Sequence, residues 1–333
     1  MQLKSSAERL RRTRHNPSVL RPGNEEPAPA NALTIAAGCE LVYAVEVPTS
    51  ILLLIQPRPH RLQKILTQSV AVDTGLPVRR YRDTFGNDVL RTTLRPGQNR
   101  IRHEAVVLVP DAADGVGSSD SGERMDHLPF EVLRYTMPSR YCESDNLTDL
   151  ATALFGGMPR GAAQAQAISS WVHRNIEYRC GAGFPHLSAQ EVLRRGYGVC
   201  RDLAHVMIAL CRALDLPARY IAGHIPKLDD NRAEDGSDMG TDFHAYCEVY
   251  LGGRWLTFDP RHDRPLKGRI KIAQGMDAVD TAIATMYGTV RTLEYRVWSR
   301  QVDAAVAQAD GVPLADACAN APGRPADAHL ATS

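Results

Sequence analysis

The chain has little that would tie it to a special environment. Its longest uninterrupted aliphatic run, Ile51 to Ile55, is far short of the roughly 20 apolar residues that a membrane helix needs. Aromatic residues make up only 6% of the 333, and neither sign of charge dominates: 39 Lys and Arg against 38 Asp and Glu leave a formal net charge of +1. Neither nucleic acid nor an anionic membrane is expected as a partner. The seven cysteines are odd in number and none stands in CxxC spacing, so they build neither a disulfide framework nor a zinc ribbon. The first thirty residues carry Arg9, Arg11, Arg12, Arg14 and Arg21 but no apolar segment of the kind a secretory signal contains. A reducing cytoplasm is the expected compartment.

What is present reads as two globular units with tails. Hydrophobic content of 44% and charged content of 23% suit a chain that buries a substantial core. Residues 1–34, basic and then Pro/Ala-rich, are expected to form a disordered arm, and residues 301–333 a flexible tail. Between them, residues 35–135 follow period two: ELVYAVEV, SILLLIQP, ILTQSVAV, DVLRTTL and NRIRHEAVVLV are strands of an expected β-sandwich. Phe85 to Asp88 is the best hairpin turn, because Gly and Asn tolerate positive φ. From 136 to 300 the spacing becomes helical, in LTDLATALFGG, GAAQAQAISSWVHRNI and SAQEVLRR, the last opened by a Ser188/Glu191 capping box. The expected fold class is α+β.

Two stretches carry chemistry. In GYGVCRDLAHVMIALCRALDLPARY, Leu203, Val206, Met207 and Leu210 recur at helical spacing and only Arg201, Asp202, His205 and Arg212 are polar, so the helix is central and largely buried. Cys200 stands in its first turn, where the positive end of the helix dipole favours thiolate over thiol. Glycines on either side of Tyr197 let the chain turn sharply there. His205 is five residues on, about 500° of helical rotation, and is read as structural. In HAYCEVYLGGRWLTFDP, Gly252-Gly253 is a two-residue turn signal, so pairing runs Leu251 with Arg254 and outward. One face then carries Ala245, Cys247, Val249, Leu251, Leu256 and Phe258 toward a core. The other carries His244 and Asp259, which lie diagonally, about 7 Å apart, within reach of a carboxylate–imidazole bond. Cys200, His244 and Asp259 are thus the parts of a thiol nucleophile, its base and an orienting carboxylate.

At these residues the sequence resembles the transglutaminase-like superfamily, in its bacterial two-domain form with an N-terminal β-domain. GVCRDLAHVMIALCRALDLPARYIAG and DFHAYCEVYLGGRWLTFDP are similar to the family's nucleophile helix and its histidine and aspartate strands, and PSRYCESD and GMDAVDTAIATMYG to two further segments. The resemblance implies a papain-like core, a helix bearing the cysteine packed on an antiparallel sheet. It implies Cys200 as nucleophile, His244 as general base and acid, and Asp259 as orienter. Three departures are visible: Tyr246 stands where an indole is common, Met276 where an arginine is usual, and the acidic loop from Lys227 to Thr241 is long.

The expected activity is acyl transfer on a peptide or side-chain amide through a thioester, resolved by water as in a peptidase or amidase. Transamidation by an amine is the alternative, and a binding or scaffold module with a relic triad is the rival of another class. The oxyanion is expected to meet the Cys200 N–H, with Tyr178 or Trp171 as second donor by residue type. No cofactor or metal is expected. His244 and Cys247 face opposite sides of a strand, and the acidic loop from Lys227 to Thr241 lacks the alternating acidic order of a calcium-binding hand. The expected partner is a peptide or protein substrate.

Overall fold

The computed structural model describes residues 31–73, 77–115, 121–184, 186–231 and 239–303. The expected arm lies outside these residues except for its last few, as do residues 304–333 of the expected tail and 232–238 of the acidic loop. Six strands come first: β1 (Ala32–Val45), β2 (Thr49–Leu53), β3 (Lys64–Val72), β4 (Arg79–Arg82), β5 (Asp88–Leu94) and β6 (Gly97–Pro110). A single turn α1 (Phe130–Leu133) leads to α2 (Thr148–Phe155) and α3 (Ala162–Asn175). The short strands β7 (Glu177–Tyr178) and β8 (Tyr197–Gly198) flank α4 (Ala189–Arg195). Helix α5 (Cys200–Ala213) is followed by β9 (Ala218–His224), β10 (His244–Leu251), β11 (Arg254–Phe258), β12 (Ile270–Gly275), β13 (Ala284–Tyr287) and β14 (Val290–Gln301).

The fold is α+β. Two four-stranded sheets, β14-β1-β6-β3 and β13-β2-β5-β4, enclose a core in which Leu41 and Tyr43 of β1 meet Ile51 and Leu53 of β2 and Leu90 of β5. The turn after β4 is built as its residues predict: Asp83 Oδ1 accepts the N–H groups of Phe85 and Asn87, and Gly86 has φ +76°. One boundary differs from expectation. Strands β13 and β14 lie in the stretch assigned to the helical unit, yet they pair with β2 and β1 and complete both sheets of the sandwich. The reason is the length of β1, whose fourteen residues need a partner on each side; Ile35 to Val45 pair with β14 on one edge and β6 on the other. Strand β1 also begins at Ala32, inside the segment read as arm.

The second unit packs α5 on the sheet β11-β10-β9-β12. Every residue of α5 from Asp202 to Arg212 is buried, so Asp202, His205 and Arg212 of its polar stripe meet protein and not water. Arg212 donates to the carbonyls of Ala218 and Met276 and to Ser139 Oγ. His205 accepts the Ala278 N–H at 3.2 Å and lies between the rings of Tyr141 and Tyr220. Its role is structural. The face of the sheet away from α5 carries Glu248, which bonds Arg219 and Lys271. Gln63, from the β-sandwich side, bonds both the N–H and the C=O of Lys271 and so ties the two units together.

Candidate active site

Cys200 owes its position to the turn that precedes it. Gly196, with φ +73°, ends α4 in the left-handed conformation and sends the chain into β8. Gly198 is required for a different reason, because a Cβ there would stand 2.7 Å from the Asp202 Cβ. Asp202 uses that closeness: its Oδ2 accepts the Val199 N–H at 3.0 Å, and Arg201 binds its other oxygen. Val199 has no acceptor side chain, so only this half of a capping pair forms. The result is a fixed helix start with Cys200 as its first residue, half-buried, at the positive end of a central helix.

The hairpin places the other two groups. Cys247 pairs with Phe258 and Leu251 with Arg254 around Gly252 and Gly253, whose φ values are +58° and +76°. This is the register expected from the two glycines, and the apolar face packs into the core with α5. His244 opens β10 and Asp259 follows β11, and His244 Nε2 lies 2.8 Å from Asp259 Oδ2. The other ring nitrogen remains for the thiol, and Cys200 and His244 are hydrogen-bonded through their side chains. The three predicted residues therefore meet in one line of contacts.

Their electrostatics follow from that line. Burial opposes a thiolate at Cys200, but the hydrogen bond and charge of His244 outweigh it and lower the thiol below its ordinary value. Burial likewise disfavours an imidazolium, yet Asp259 and the thiol raise His244 to about 9. Burial opposes ionisation of Asp259 too, and the charges of His244 and Arg269 overcome it, holding the carboxyl well below the usual range. Both shifts favour the thiolate–imidazolium pair over the neutral thiol and imidazole, above an ionised carboxylate.

Four residues that the sequence reading did not single out belong to this site. Arg269 Nη2 donates to Asp259 Oδ2 at 2.9 Å and its Nε to Asp114 Oδ2 at 2.7 Å, so the loop after β6 contributes a counter-charge from the sandwich side. The Arg269 guanidinium also covers Tyr246, its carbon 4.6 Å from the ring centroid. His262 lies 5.4 Å from His244, ring to ring, and Arg261 lies over the Tyr178 ring at 3.5 Å. Arg261 and His262 follow Asp259 closely in RHDR, and that density of basic groups was the available signal. Tyr178 pairs with Gly198 through β7 and β8, which brings it beside the thiol. Trp171 makes an edge-on contact with Phe155.

One group could gather a metal: ligand atoms of His244, Asp259 and His262 lie within 4.8 Å of one another. Arg269 donates to the same Asp259 oxygen, and its fixed positive charge opposes a cation there.

The profile of the transglutaminase-like superfamily matches residues 148–260, from α2 to the residue after Asp259. The crystal structure of a candidate cysteine protease from Cytophaga hutchinsonii is 30% identical, with a TM-score of 0.74 over 82% of this chain and 92% of that one. An uncharacterized protein of Mycobacterium leprae is 32% identical over 126 residues, 37% of this chain and 43% of that protein. One from Mycobacterium tuberculosis is 32% identical over 120 residues, 34% of this chain and 38% of that protein. The chain spans less than half the length of these mycobacterial relatives. With the nucleophile helix, the histidine strand and the aspartate strand in the matched region, and with the fold shared over most of both chains in the Cytophaga structure, the chain belongs to the transglutaminase-like superfamily.

Proposed function

We propose that the chain is a cysteine-dependent acyl-transfer enzyme that hydrolyses peptide or side-chain amides. The observation that carries this reading is the contact line from Cys200 through His244 to Asp259, with Cys200 at a helix start. The Cys200 thiolate attacks the amide carbonyl carbon, and the oxygen that becomes negative is met by the Cys200 N–H. Tyr178 suits the second donor position, since burial raises its phenol and keeps the proton on it. The imidazolium of His244 gives its proton to the leaving amine as the C–N bond breaks, leaving a thioester and a neutral imidazole. That imidazole then takes a proton from water as the oxygen adds to the thioester, and collapse releases the acid and restores the thiolate. Asp259 holds the ring throughout.

Water is favoured as acceptor because Trp255 is engaged elsewhere, with Arg219 over its ring at 3.9 Å and Tyr135 and Tyr250 beside it. The six described cysteines are all free thiols, which supports work in a reducing compartment such as the cytoplasm. The test is intact-mass analysis after exposure to an activated ester such as p-nitrophenyl acetate. One acetyl group should appear on Cys200 and be absent from Cys200→Ala, which should also lose amide turnover. Turnover in Cys200→Ala equal to the unaltered chain would refute the reading and favour a binding module.

A further inference from the structure

The short parallel strands β7 and β8 bring two thiols toward one another. Glu177 pairs with Tyr197 and Tyr178 with Gly198. The Glu177 N–H donates to the Gly196 carbonyl and the Arg179 N–H to the Gly198 carbonyl, each at 2.9 Å. Two residues beyond the last pair stand Cys180 on one strand and Cys200 on the other. Residues two apart along a strand share a face, so Cys180 leaves the ladder on the face of Tyr178. Neighbouring strands lie about 4.8 Å apart, inside the span of about 4.4–6.8 Å between Cα atoms that a disulfide bridges. Both chains leave the ladder there, one into a turn and the other into α5.

The turn presents Cys180 to solvent beside the site. The Ala182 N–H donates to the Arg179 carbonyl at 3.2 Å, and Gly181 has φ +76°, the value a type II turn needs in its third place. Cys180 stands at the corner of that turn and is the one exposed cysteine among the described residues. Cys200 is half-buried, whereas Cys39, Cys142, Cys211 and Cys247 are buried and out of a reagent's reach. The Tyr178 phenol, beside the nucleophile, feels the charge of both Cys180 and Cys200. Acyl transfer has no use for Cys180, so the pairing of an exposed thiol with the nucleophile needs another account.

We infer that Cys180 is the resolving thiol of Cys200. When a hydroperoxide oxidises the nucleophile, Cys180 forms a disulfide with it, and the enzyme stays inactive until a dithiol reduces that bond. This rests on the reading of Cys200 as the reactive thiol. The Cys200 sulfur bonds one peroxide oxygen as the O–O bond breaks, and the leaving oxygen takes the His244 proton. Cys200 is then a sulfenic acid, oxidised by two electrons, and the hydroperoxide is reduced to an alcohol or water. The Cys180 sulfur attacks the sulfenic sulfur: the S–S bond forms, the S–O bond breaks, and hydroxide leaves with the thiol proton as water. A dithiol restores both thiols and departs as its own disulfide. Without Cys180 the sulfenic acid would meet further peroxide and pass to the sulfinic acid, which a dithiol does not reduce.

The test exposes the full chain to a small excess of hydrogen peroxide, blocks the remaining thiols with N-ethylmaleimide and maps the peptides without reduction. The peptides of Cys180 and Cys200 should appear joined and lighter by two hydrogens, within a chain that still runs as a single chain on a non-reducing gel. Acetyl uptake from p-nitrophenyl acetate should be lost with that link and should return on treatment with dithiothreitol. Cys180→Ser changes an exposed turn residue and should take up acetyl normally before oxidation. After peroxide it should carry a sulfinic acid on Cys200 and lose uptake, and dithiothreitol should not restore it. Sulfinic Cys200 forming in the unaltered chain as readily as in Cys180→Ser overturns the resolving role and leaves the nucleophile standing. A link from Cys200 to Cys318, to any other thiol or to a second chain does the same. Peroxide that oxidises Cys180 while Cys200 stays reduced overturns the reactive thiol, and the resolving role with it.

Discussion

Asp259 Oδ2 lies 2.8 Å from His244 Nε2 and 2.9 Å from Arg269 Nη2, so one carboxylate oxygen serves two cationic groups at once. Its proton affinity is held so low that it cannot accept the imidazole proton. It orients the ring and stabilises the imidazolium. Asp259→Asn places a neutral amide there, which cannot satisfy both neighbours. The substitution is expected to lower kcat by about 10²–10⁴. Steady-state kinetics on any amide substrate checks this, and a loss of less than threefold would remove the residue from the mechanism.

The same pair sets the pH range of the thiol. Cys200 is lowered and His244 is raised to about 9, so both shifts favour the thiolate–imidazolium pair, whose upper limit is set by His244. Burial pushes Cys39, Cys142 and Cys211 up to about 12 and leaves them inert. Limited iodoacetamide at about pH 6 should therefore modify Cys200 first, with the exposed Cys180 as the control for access. The value of kcat/KM should fall above about 9, as His244 loses the proton that the leaving amine needs. Modification of Cys180 ahead of Cys200 would show that the ion pair does not form.

A second charged group on the same sheet supports the fold and not the chemistry. Glu248 bonds Arg219 Nη2 at 2.5 Å and the Lys271 ammonium, and all three side chains are buried. Burial opposes its charge, but the two cations hold Glu248 at about 2. Glu248→Gln leaves two buried cations without a counter-charge and should cost about 3–5 kcal/mol of stability. Lys271→Met should cost less, because Glu248 keeps Arg219. Urea unfolding of the two variants checks the order, and equal losses would contradict it.

Acid stability is set by buried histidines. Burial lowers His103, His205 and His224 to about 3 each, whereas an unfolded imidazole takes its proton near 6.5. Between those values the unfolded chain binds more protons, so stability falls as pH drops from about 6.5 toward about 3. His244 works in the other window: its contribution is complete below about 6.5 and is lost as pH rises through about 9. The urea midpoint should be highest between these windows and lower at about pH 5. A midpoint at pH 5 equal to that at pH 7 would mean that these imidazoles are not held neutral.

The site is legible in the sequence where local rules fix geometry. Gly252-Gly253 sets the hairpin register, and the register alone puts His244 and Asp259 on one face. Cys200 is found because a buried helix with a sharp glycine turn before it has a fixed start. Arg269 and Asp114 were not found, because their meeting depends on a loop of the sandwich reaching the second unit, which no periodicity records. The same limit hid β13 and β14, whose alternation marks them as strands without saying which sheet they join. Long-range partnership is decided by packing, and only the short-range half of it is written in spacing.

The choice between water and an amine as the second substrate follows from what surrounds the thioester. Transamidation needs a site that admits an amine while excluding water, which is present at about 55 M in bulk, and an aromatic wall is the usual means. Of the chain's three tryptophans, Trp255 stacks under Arg219 beside Tyr135 and Tyr250, and Trp298 lies in β14 of the sandwich. Tyr246, which stands beside the base, is buried and covered by Arg269, so it forms no wall at the thiol. The groups that border the site include the half-buried Arg261 and His262, both polar, and a single aromatic ring, Tyr178, which Arg261 covers. With an activated acyl substrate and a lysine analogue titrated in, the acid product should therefore exceed the amide at about 1 mM amine. The product ratio, read by chromatography across the titration, decides the matter, and amide in excess at millimolar amine would make the chain a transamidase.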